Sequence, residues 1–246
     1  MLKHRIEEAT LSAWPATQQM LMDGWVVRFA HGYTGRANSV TPMYAGQMDI
    51  DTKIDSCEQF YRWHSIPARF RITTFCPTPE LDTALDQRSY RKFSTTLVYH
   101  RPLAGWNGNH TPPAITEEPS LERWLDEFYR LSNRSRDDYH LHFAILQNIP
   151  TQRYQATLQV EGQVVACGLG VLTQTLFGLF DVVVDPSTRN KGYGTKLVND
   201  MLTWANQQGA QDSYLQVVKE NLVAQHVYQK LGYKELYKYW YRISDW

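Results

Sequence analysis

The sequence predicts an α/β protein built in two parts, and three observations support this fold class. The chain has 246 residues, 43% of them hydrophobic, which suffices for one large domain or two of ordinary size. Helix-like and strand-like patterns of apolar residues alternate through most of its length. The segment Arg101–Pro119 is rich in Pro, Gly and Asn and interrupts both patterns. We therefore predict an N-terminal domain over residues 1–105, a linker over 106–118 and a second domain over 119–246.

The N-terminal part is predicted to follow the order αββαβαβ. This order partly echoes the second part and suggests a degenerate structural duplicate. The predicted elements are a short helix near Thr17–Met22, strands at Gly24–Phe29 and Ala37–Pro42, a helix at Ser56–His64, a strand at Arg69–Thr74, a helix at Pro79–Gln87 and a strand at Phe93–His100.

The C-terminal part is predicted to follow the order ααβββαβαβ. The dipeptide Glu161-Gly162 is a hairpin signal between its first two strands. The predicted elements are a helix after Ser120, a helix at Asp138–Gln147, strands at Arg153–Val160, Val164–Leu172 and Thr175–Val184, a helix at Gly192–Gln207, a strand at Ser213–Val218, a helix at Asn221–Leu231 and an aromatic strand at Lys234–Ile243.

Charge and cysteine content exclude several classes of protein. The 25 basic and 25 acidic residues cancel, so net charge gives no reason to expect nucleic acid or an anionic membrane as a partner. No stretch reaches the roughly 20 uncharged apolar residues of a membrane helix. Cys57, Cys76 and Cys167 lie far apart and form no zinc-type cluster, so we expect reduced thiols and no metal site. The N-terminus lacks a signal-peptide pattern, so we expect a cytoplasmic protein, either monomer or homodimer.

One strand–loop–helix segment carries the strongest chemical signal. The apolar run Phe177–Val184 ends at Asp185-Pro186, and Arg189–Gly194 then leads directly into an amphipathic helix. Glycines allow close backbone approach, and the first turn of a helix offers unpaired N–H groups and a partial positive charge to an anion. The sequence has no GxxxxGK[ST] motif and no GxGxxG at a strand-to-helix turn. The segment alone therefore indicates only a phosphate site.

A second segment indicates which kind of phosphate-containing ligand the site would bind. A strand is followed by a predicted helix that starts near Asn221 and ends on Leu231-Gly232-Tyr233. Together the two segments resemble the GNAT family of N-acetyltransferases over roughly residues 120–243. In the N-terminal part, the pattern DGW…RANS resembles a two-part subgroup of GNAT proteins. The residues that carry the main resemblance are Val184, Arg189, Gly192, Gly194, Asn221, Ala224, Tyr228, Gly232 and Tyr233.

This resemblance implies a GNAT acyl-CoA N-acyltransferase fold, with a mixed, mostly antiparallel sheet flanked by helices and a second, divergent GNAT-like N-terminal domain. It implies acetyl-CoA as co-substrate. The pantetheine arm would run along the end of the strand, between two strands that splay apart, with Asn221 on the opposite side. The implied cofactor-binding residues are Val182, Val183 and Val184 for the arm, and Arg189, Asn190, Lys191, Gly192, Tyr193, Gly194 and Thr195 for the pyrophosphate.

Two residues are candidates for catalysis. Tyr228 is a candidate general acid that would protonate the departing thiolate; the alternative is a tyrosine packed between helix and sheet. Asp181 is the only ionisable residue in its apolar strand and is a candidate base, acting directly or through water. The alternative is a carboxylate that merely hydrogen-bonds a loop or caps the edge of the strand. The predicted reaction is acetyl transfer to a small-molecule amine or amino-acid-like acceptor, and the rivals are an acyl-CoA sensor and a transferase of longer acyl or aminoacyl groups.

Several other residues allow both a functional and a structural interpretation. Arg36, Asn38 and Ser39 either face the acceptor site across the junction of the two parts or supply turn chemistry. His140 and His142 are predicted to be satisfied or exposed rather than metal ligands. The aromatic tail at Lys234–Ile243 is predicted to be a sheet strand with one buried aromatic face, although its rings would also suit base stacking or an acceptor pocket.

Overall fold

The computed structural model describes residues 1–106 and 115–246, and this part of the chain forms one large sheet flanked by helices. The helices are α1 (Leu2–Ala13), α2 (Ile50–Trp63), α3 (Leu81–Gln87), α4 (Leu121–Ser132), α5 (Tyr139–Gln147), α6 (Tyr193–Gln207) and α7 (Leu222–Lys230). The strands are β1 (Gln18–Met22), β2 (Trp25–Phe29), β3 (Val40–Pro42), β4 (Arg69–Thr73), β5 (Arg91–Pro102), β6 (Ile115–Glu117), β7 (Gln152–Val160), β8 (Gln163–Thr173), β9 (Leu176–Val184), β10 (Asp212–Val218) and β11 (Lys234–Ile243). Within these ranges, no helix is both long enough and apolar enough to cross a bilayer.

The sheet has the strand order β1-β2-β3-β4-β11-β5-β10-β9-β8-β7-β6. Two neighbouring pairs, β3·β4 and β9·β10, are parallel, and the others are antiparallel. A parallel pair needs a crossover connection, which α2 provides in the first case and α6 in the second. The prediction of a mixed, mostly antiparallel sheet flanked by helices is therefore confirmed.

The two halves repeat one order of elements and exchange their last strands. The N-terminal half runs β1-β2-β3-α2-β4-α3-β5, and the C-terminal half runs β7-β8-β9-α6-β10-α7-β11. Strand β5 pairs with β10 of the other half, and β11 pairs with β4 of the other half, while β5 and β11 also pair with each other. The suspected duplicate is thus visible in the topology, and one continuous sheet crosses the junction.

The predicted linker is only partly visible. Its residues 107–114 lie outside the described part of the chain. On either side of them, β5 continues to Pro102, and β6 forms a short strand that pairs with β7. The division into domains at residues 105 and 119 stays a prediction.

Helices cover both faces of the sheet. Helices α1, α4 and α5 pack on what we term the first face, and α2, α3, α6 and α7 pack on the second face. Helix α1 spans the junction, because it packs on β8 and β9 of the other half while the buried carboxylate of Glu7 binds Arg71 of β4. Fully buried apolar side chains such as Trp124, Ile54 and Met201 anchor helices on each face.

Two N-terminal elements differ from the sequence prediction. The helix expected near Thr17–Met22 is wrong, because residues 18–22 form β1, which pairs with β2 across a tight turn. Asp23 and Gly24 in this turn both have positive φ, at 42° and 85°, as two-residue hairpin turns require. Helix α1 was not predicted, since one residue on its buried side, Glu7, is charged and obscures the apolar period.

Candidate active site

A gap opens in the sheet between β9 and β10. The two strands pair only from Leu176 to Leu179 of β9, yet β9 continues to Val184 and β10 continues to Val218. Beyond the paired part, β9 keeps its other partner, since Val183 and Val184 still pair with β8. One edge of residues 180–184 is therefore left facing the gap, as a splayed pair of strands requires.

A β-bulge places Asp181 beside this gap. Phe180 pairs with Leu169 and Val183 pairs with Cys167, so Asp181 and Val182 together oppose a single residue of β8. Asp181 has φ of 46°, which is uncommon for a residue other than glycine. Bulges of this kind redirect side chains and are frequent beside active sites. The carboxylate of Asp181 reaches the first face, where α5 lies, while Val182 packs on the second face.

The loop before α6 presents free amides to the same gap. Asn190 and Gly192 adopt left-handed conformations, with φ of 64° and 79°, and the helix starts at the next residue. The first intrahelical bond is donated by the amide of Lys196 to the carbonyl of Gly192 (3.0 Å). The amides of the first turn, residues 193–195, therefore have no partner inside the helix and point their partial positive charge outward.

Two exposed cations and a close contact between helix and strand accompany these free amides. Arg189 and Lys191 are exposed beside the free amides. A Cβ added to Gly194 would come within 3.3 Å of Val184 Cγ2, so glycine allows the helix start to lie close to the strand end. The carboxylate of Asp185 does not bind the free amides of residues 193–195, because it accepts hydrogen bonds from Ser187 N (2.8 Å) and Oγ (2.6 Å). The predicted residues 182–184 and 189–195 thus lie along one edge of the gap.

The predicted residues of α7 occupy the second face. Asn221 caps this helix, since its Oδ1 accepts a hydrogen bond from Ala224 N (3.1 Å). Tyr228 is half-buried in the same apolar cluster as Val182 and Val184, and burial raises the pKa of its phenol to about 12. Its ring meets Tyr233 edge to face at 6.0 Å. Tyr228 therefore keeps its proton at neutral pH, as either a general acid or a packed core tyrosine would.

Asp181 has a buried partner that the sequence did not single out. His142 of α5 is 0% exposed, and its Nε2 lies 3.0 Å from Oδ2 of Asp181, whose side chain is 8% exposed. With Asp181 ionised and His142 neutral, Nε2–H donates this bond. His142 satisfies the expectation of a hydrogen-bonded histidine, whereas His140 is exposed. Nothing in a single sequence pairs residues 142 and 181, because only the packing of α5 on the bulge brings them together.

An aromatic cage surrounds the imidazole of His142. Its Nδ1 is buried and has no hydrogen-bond partner in the described part of the chain. Four ring centroids lie within 6 Å of the imidazole: Trp14 at 5.5 Å, Tyr33 at 5.4 Å, Phe128 at 5.4 Å and Tyr129 at 5.9 Å. Two of these rings, Trp14 and Tyr33, come from the N-terminal half, which therefore completes the surroundings of the histidine that contacts Asp181.

The N-terminal loop that carries Tyr33 is held by Asn38. Asn38 Oδ1 accepts hydrogen bonds from Ala30 N (2.7 Å) and Gly32 N (3.0 Å), and its Nδ2 donates to the carbonyls of Tyr33 (2.8 Å) and Thr34 (2.9 Å). Asn38 thus supplies turn chemistry, which is one of the two interpretations that the sequence allowed.

Ser39 and Arg36, the other two residues with two interpretations, lie in different surroundings. Ser39 is buried, and its hydroxyl has no hydrogen-bond partner in the described part. Arg36 faces the junction of the halves, with its guanidinium 4.8 Å from the ring centroid of Trp14 and 5.8 Å from that of Phe180. The loop therefore places one cation next to the residue that precedes Asp181.

In the N-terminal half, the loop before α2 corresponds to the loop before α6, and its amides are bonded by a side chain of the protein. Between β3 and α2, the amides of Gln47 and Met48 donate to the carboxylate of Asp23 (2.9 and 3.0 Å), which also pairs with buried Lys53 at 3.1 Å. A Cβ on Gly46 would collide with this carboxylate. The amide hydrogen bonds lower the pKa of Asp23, which stays ionised. The carboxylate of Asp23 thus binds the loop amides before α2, whereas the corresponding amides before α6 in the C-terminal half have no such partner among the described residues.

A mixed sheet whose central parallel strands separate beside an open helix N-terminus defines an acyltransferase of the predicted type, and comparisons with known proteins agree. A family model described as "Probable histone acetyltransferase Rv0428c C-terminal" matches residues 4–242. The chain is 30% identical to the uncharacterized N-acetyltransferase YobR of Bacillus subtilis (strain 168) over 244 residues, which cover 98% of each protein.

Solved structures show the same fold at low sequence identity. A GCN5-related N-acetyltransferase from Kribbella flavida is 14% identical, with a TM-score of 0.72 over 99% of this chain and 95% of that one. A tandem GNAT protein from the clavulanic acid biosynthesis pathway is 12% identical, with a TM-score of 0.60 over 79% of this chain and 69% of that one. The chain belongs to the GNAT family and is an N-acetyltransferase of the GNAT type.

Proposed function

We propose that the protein transfers an acetyl group from acetyl-CoA to the primary amine of a small-molecule or amino-acid-like acceptor, by direct attack on the thioester. The observation that carries the proposal is the gap between β9 and β10, which opens beside the free amides at the start of α6. A gap in a sheet offers unpaired backbone groups to an extended arm, and a helix N-terminus favours a phosphate. The gap and the helix start lie at the two ends of residues 184–193. This arrangement suits a ligand that has both an extended arm and a phosphate group.

The residues present fit acetyl-CoA. The amides from Asn190 to Thr195 would hold the pyrophosphate, with Arg189 and Lys191 adding formal positive charge. Backbone groups of residues 182–184 would pair with the pantetheine arm, and Asn221 would contact it from the other side. When bound, acetyl-CoA supplies the thioester that the amine attacks.

Asp181 and His142 are proposed to prepare the amine. The carboxylate of Asp181, whose side chain is 8% exposed, accepts the proton that the amine loses, directly or through water. His142 is a positioning residue, because it is fully buried and acts on the acceptor only through its hydrogen bond to Asp181. A backbone N–H near Val182 or Val183 would stabilise the negative charge that builds on the thioester oxygen.

Tyr228 is proposed to protonate the departing sulfur. Its phenol, with a pKa of about 12, holds its proton across the whole working pH range, so the donor form is always present. It packs on the second face with Val182 and Val184, while Asp181 reaches the first face. The proposed acid and base therefore approach the gap from opposite sides, as direct transfer through the gap requires.

The N-terminal half is proposed to be a cofactor-free domain that shapes the acceptor cleft. The amides of its own loop are bonded by Asp23, and it places Trp14 and Tyr33 against His142, and Arg36 against Phe180. We place its boundary at residue 105 and the start of the catalytic domain at residue 119.

The cofactor site is tested by calorimetric binding of acetyl-CoA and of acetyl-pantetheine, which lacks the nucleotide and the pyrophosphate. The double variant R189A/K191A is expected to bind acetyl-CoA at least about 100-fold more weakly, because it removes two charged hydrogen bonds that contribute about 1.5–3 kcal/mol each, and about 1.4 kcal/mol is tenfold in affinity. Its affinity for acetyl-pantetheine should not change. The variant K234A, which removes an exposed lysine of β11, is the control. Equal loss with both ligands, or no binding of acetyl-CoA by the wild type, would contradict the assignment.

Transfer itself is tested by thiol release from acetyl-CoA over a panel of primary amines. Turnover with at least one small amine supports the proposal. Acetyl-CoA binding without turnover on any amine would identify an acyl-CoA sensor instead. A preference for longer acyl-CoA donors would identify a transferase of larger groups. A lysine-rich histone peptide belongs in the panel, because the matching family is described as a probable histone acetyltransferase.

A further inference from the structure

We propose that the acceptor carries a carboxylate near its amine, and that Arg36 and Arg69 bind this carboxylate while the amine faces Asp181. The inference rests on the proposed N-acetyltransferase function and specifies its substrate class. It concerns the first face of the sheet at the junction of the halves, a region that the assigned cofactor site does not use.

Positive charge is concentrated on this face. Arg69 and Arg71 alternate along β4 with Phe70, which lies in the core of the second face, so both guanidiniums reach the first face. Arg28 of β2 and Arg36 of the following loop join them there. The only carboxylate that pairs with any of the four, in the described part of the chain, is that of Glu7. Because the whole chain has no net charge, this excess is local.

Two of the four arginines already have acceptors within the protein for their terminal nitrogens. Arg71 forms a two-pronged contact with Glu7, with 3.0 Å between its Nη2 and Oε1 of the carboxylate. Arg28 donates to the carbonyls of Arg36 (2.8 Å), Leu11 (3.2 Å) and Trp14. Burial, together with the neighbouring guanidiniums, lowers the pKa of Arg28 to about 10. These two arginines therefore hold the junction together, and Arg36 and Arg69 remain for a ligand.

Arg36 lies beside the strand that carries the proposed base. Its guanidinium lies over Trp14 and beside Phe180, the residue before Asp181. No carboxylate of residues 1–106 or 115–246 lies within 4 Å of it. Stacking on aromatic faces fixes the plane of a guanidinium while leaving its N–H groups at the rim free to form a fork with a carboxylate.

Arg69 approaches the same place from β4. Its guanidinium lies 5.7 Å from the ring centroid of Tyr241, and its Nη1 lies 3.1 Å from the position that a Cβ on Gly35 would take. Its Nε, like those of Arg28 and Arg71, is buried and has no hydrogen-bond partner among the described residues. A buried donor without a partner carries a desolvation cost that a bound carboxylate would relieve. Since Gly35 precedes Arg36, the two guanidiniums border one stretch of the face.

This charge pattern selects among acceptors. An amine that also carries a carboxylate would satisfy Asp181 at one end and the two arginines at the other. A polycationic peptide would bring further positive charge against Arg36 and Arg69, and like charges at short range are unfavourable. We therefore infer an amino-acid-type acceptor rather than a basic protein tail.

The experiment compares kcat/KM for matched pairs of acceptors, each an amino acid and the amine left after loss of its carboxyl group. Phenylalanine with phenethylamine, and lysine with cadaverine, are suitable pairs. The wild type is expected to favour the carboxylate-bearing member at least 10-fold, mainly through KM. In R36M and R69M this ratio should fall to near 1, and R36K should retain part of it. The control R123M removes an exposed arginine of α4 and should keep the wild-type ratio.

Several outcomes would overturn the proposal. A wild type that favours the carboxylate-free amines, or an R36M variant that keeps the wild-type ratio, would show that the arginines do not recognise a carboxylate. O-phosphoethanolamine is tested beside β-alanine, and a clear preference for the phosphate-bearing amine would show that the anion is not a carboxylate.

Failure of the proposed function can be distinguished from failure of this inference. If no amine is acetylated, phenylalanine is titrated calorimetrically into the wild type and into R36M. Binding to the wild type that R36M loses would support the carboxylate site on its own. Equal binding to both proteins, or no binding to either, would overturn it. Thermal unfolding of each variant checks that the altered proteins are folded.

Discussion

Asp181 shows how one residue acquires a different role from that of its neighbours in the same strand. Its left-handed backbone creates the bulge, and the bulge turns the carboxylate toward α5 while Val182 stays in the core of the second face. Without the bulge, side chains would alternate strictly between the two faces, so Asp181 would lie on the second face and Val182 on the first. The bulge therefore sets the position of the candidate base, at the point where the gap begins.

The proposed acid is tested by the variant Y228F, which removes only a hydroxyl. If Tyr228 protonates the sulfur, kcat should fall by roughly 10²-fold or more, a typical contribution of general acid catalysis, with little change in the affinity for acetyl-CoA. Initial rates of thiol release measure this. Tyr154 is a matched control, because burial also raises the pKa of its phenol to about 12 and it belongs to the same apolar cluster, yet it lies on β7. Rates for Y228F as high as those for Y154F would identify Tyr228 as a packing residue.

His142 is tested by the variants H142F and H142Q. Phenylalanine removes the donor to Asp181, so kcat should fall by about 10-fold or more as the carboxylate loses its orientation. Glutamine can donate from a similar position and should restore part of the activity. The variant H140Q changes an exposed histidine of the same helix and should behave as the wild type. If H142Q is as impaired as H142F while both remain folded, a positioning role through this hydrogen bond is wrong.

At the scale of elements, the two crossover connections differ in what fills the start of their helices. The loop before α6 leaves its amides open and is flanked by cations. The loop before α2 is closed by Asp23, and Asp49 additionally caps the helix by accepting from Thr52 N (2.9 Å). One topology thus has one helix start with free amides and one whose preceding loop amides are bonded by the chain itself.

This difference predicts the stoichiometry of cofactor binding. Calorimetric titration with CoA should give one equivalent per chain, because Asp23 excludes a phosphate from the N-terminal loop. Two equivalents of CoA per wild-type chain would contradict this account.

The contribution of Asp23 to stability is tested by the variant D23N. This variant should melt at a lower temperature, since it leaves Lys53 buried without its partner charge. Because the pKa of Asp23 is lowered in the folded state, the stability that its carboxylate contributes is complete above the unfolded pKa near 4 and is lost as the pH falls further. The difference in melting temperature between wild type and D23N should therefore shrink below about pH 4.

At the scale of the whole molecule, strand exchange makes the halves depend on each other. Strand β11 has no partner strand from its own half, because it pairs only with β4 and β5 in the described part of the chain. Strand β10 likewise has β5 as its partner on one side. Removing either half would expose long unpaired strand edges, which favour aggregation. We expect a single cooperative unfolding transition for the whole chain.

Fragments test this dependence. Residues 106–246 expressed alone should be insoluble or unfolded, despite containing every assigned cofactor-binding residue. Co-expression with a separate fragment of residues 1–105 should yield a soluble complex of both. Circular dichroism and size-exclusion chromatography measure the outcome. A folded, monomeric fragment 106–246 that binds acetyl-CoA would show that the exchanged strands are dispensable.

Much of the C-terminal half could be predicted from the sequence because its signals are local. Period and caps located α4 and α6, and β11 coincides with the predicted aromatic strand Lys234–Ile243. The N-terminal half was harder to predict. Its first helix buries Glu7, and its first strand is exposed along nearly its whole length, so neither shows an apolar period.

The sequence by itself determined the fold class, the strand–loop–helix segment at residues 177–207 and the family, because these depend on neighbours along the chain. Only the tertiary structure decided that β5 and β11 each pair with strands of the other half, that His142 lies against Asp181, and that Arg69 approaches the loop of Gly35 and Arg36. Each of these joins residues at least 30 positions apart. Contacts of this range are set by which surfaces pack together and leave no mark in the local pattern of one sequence.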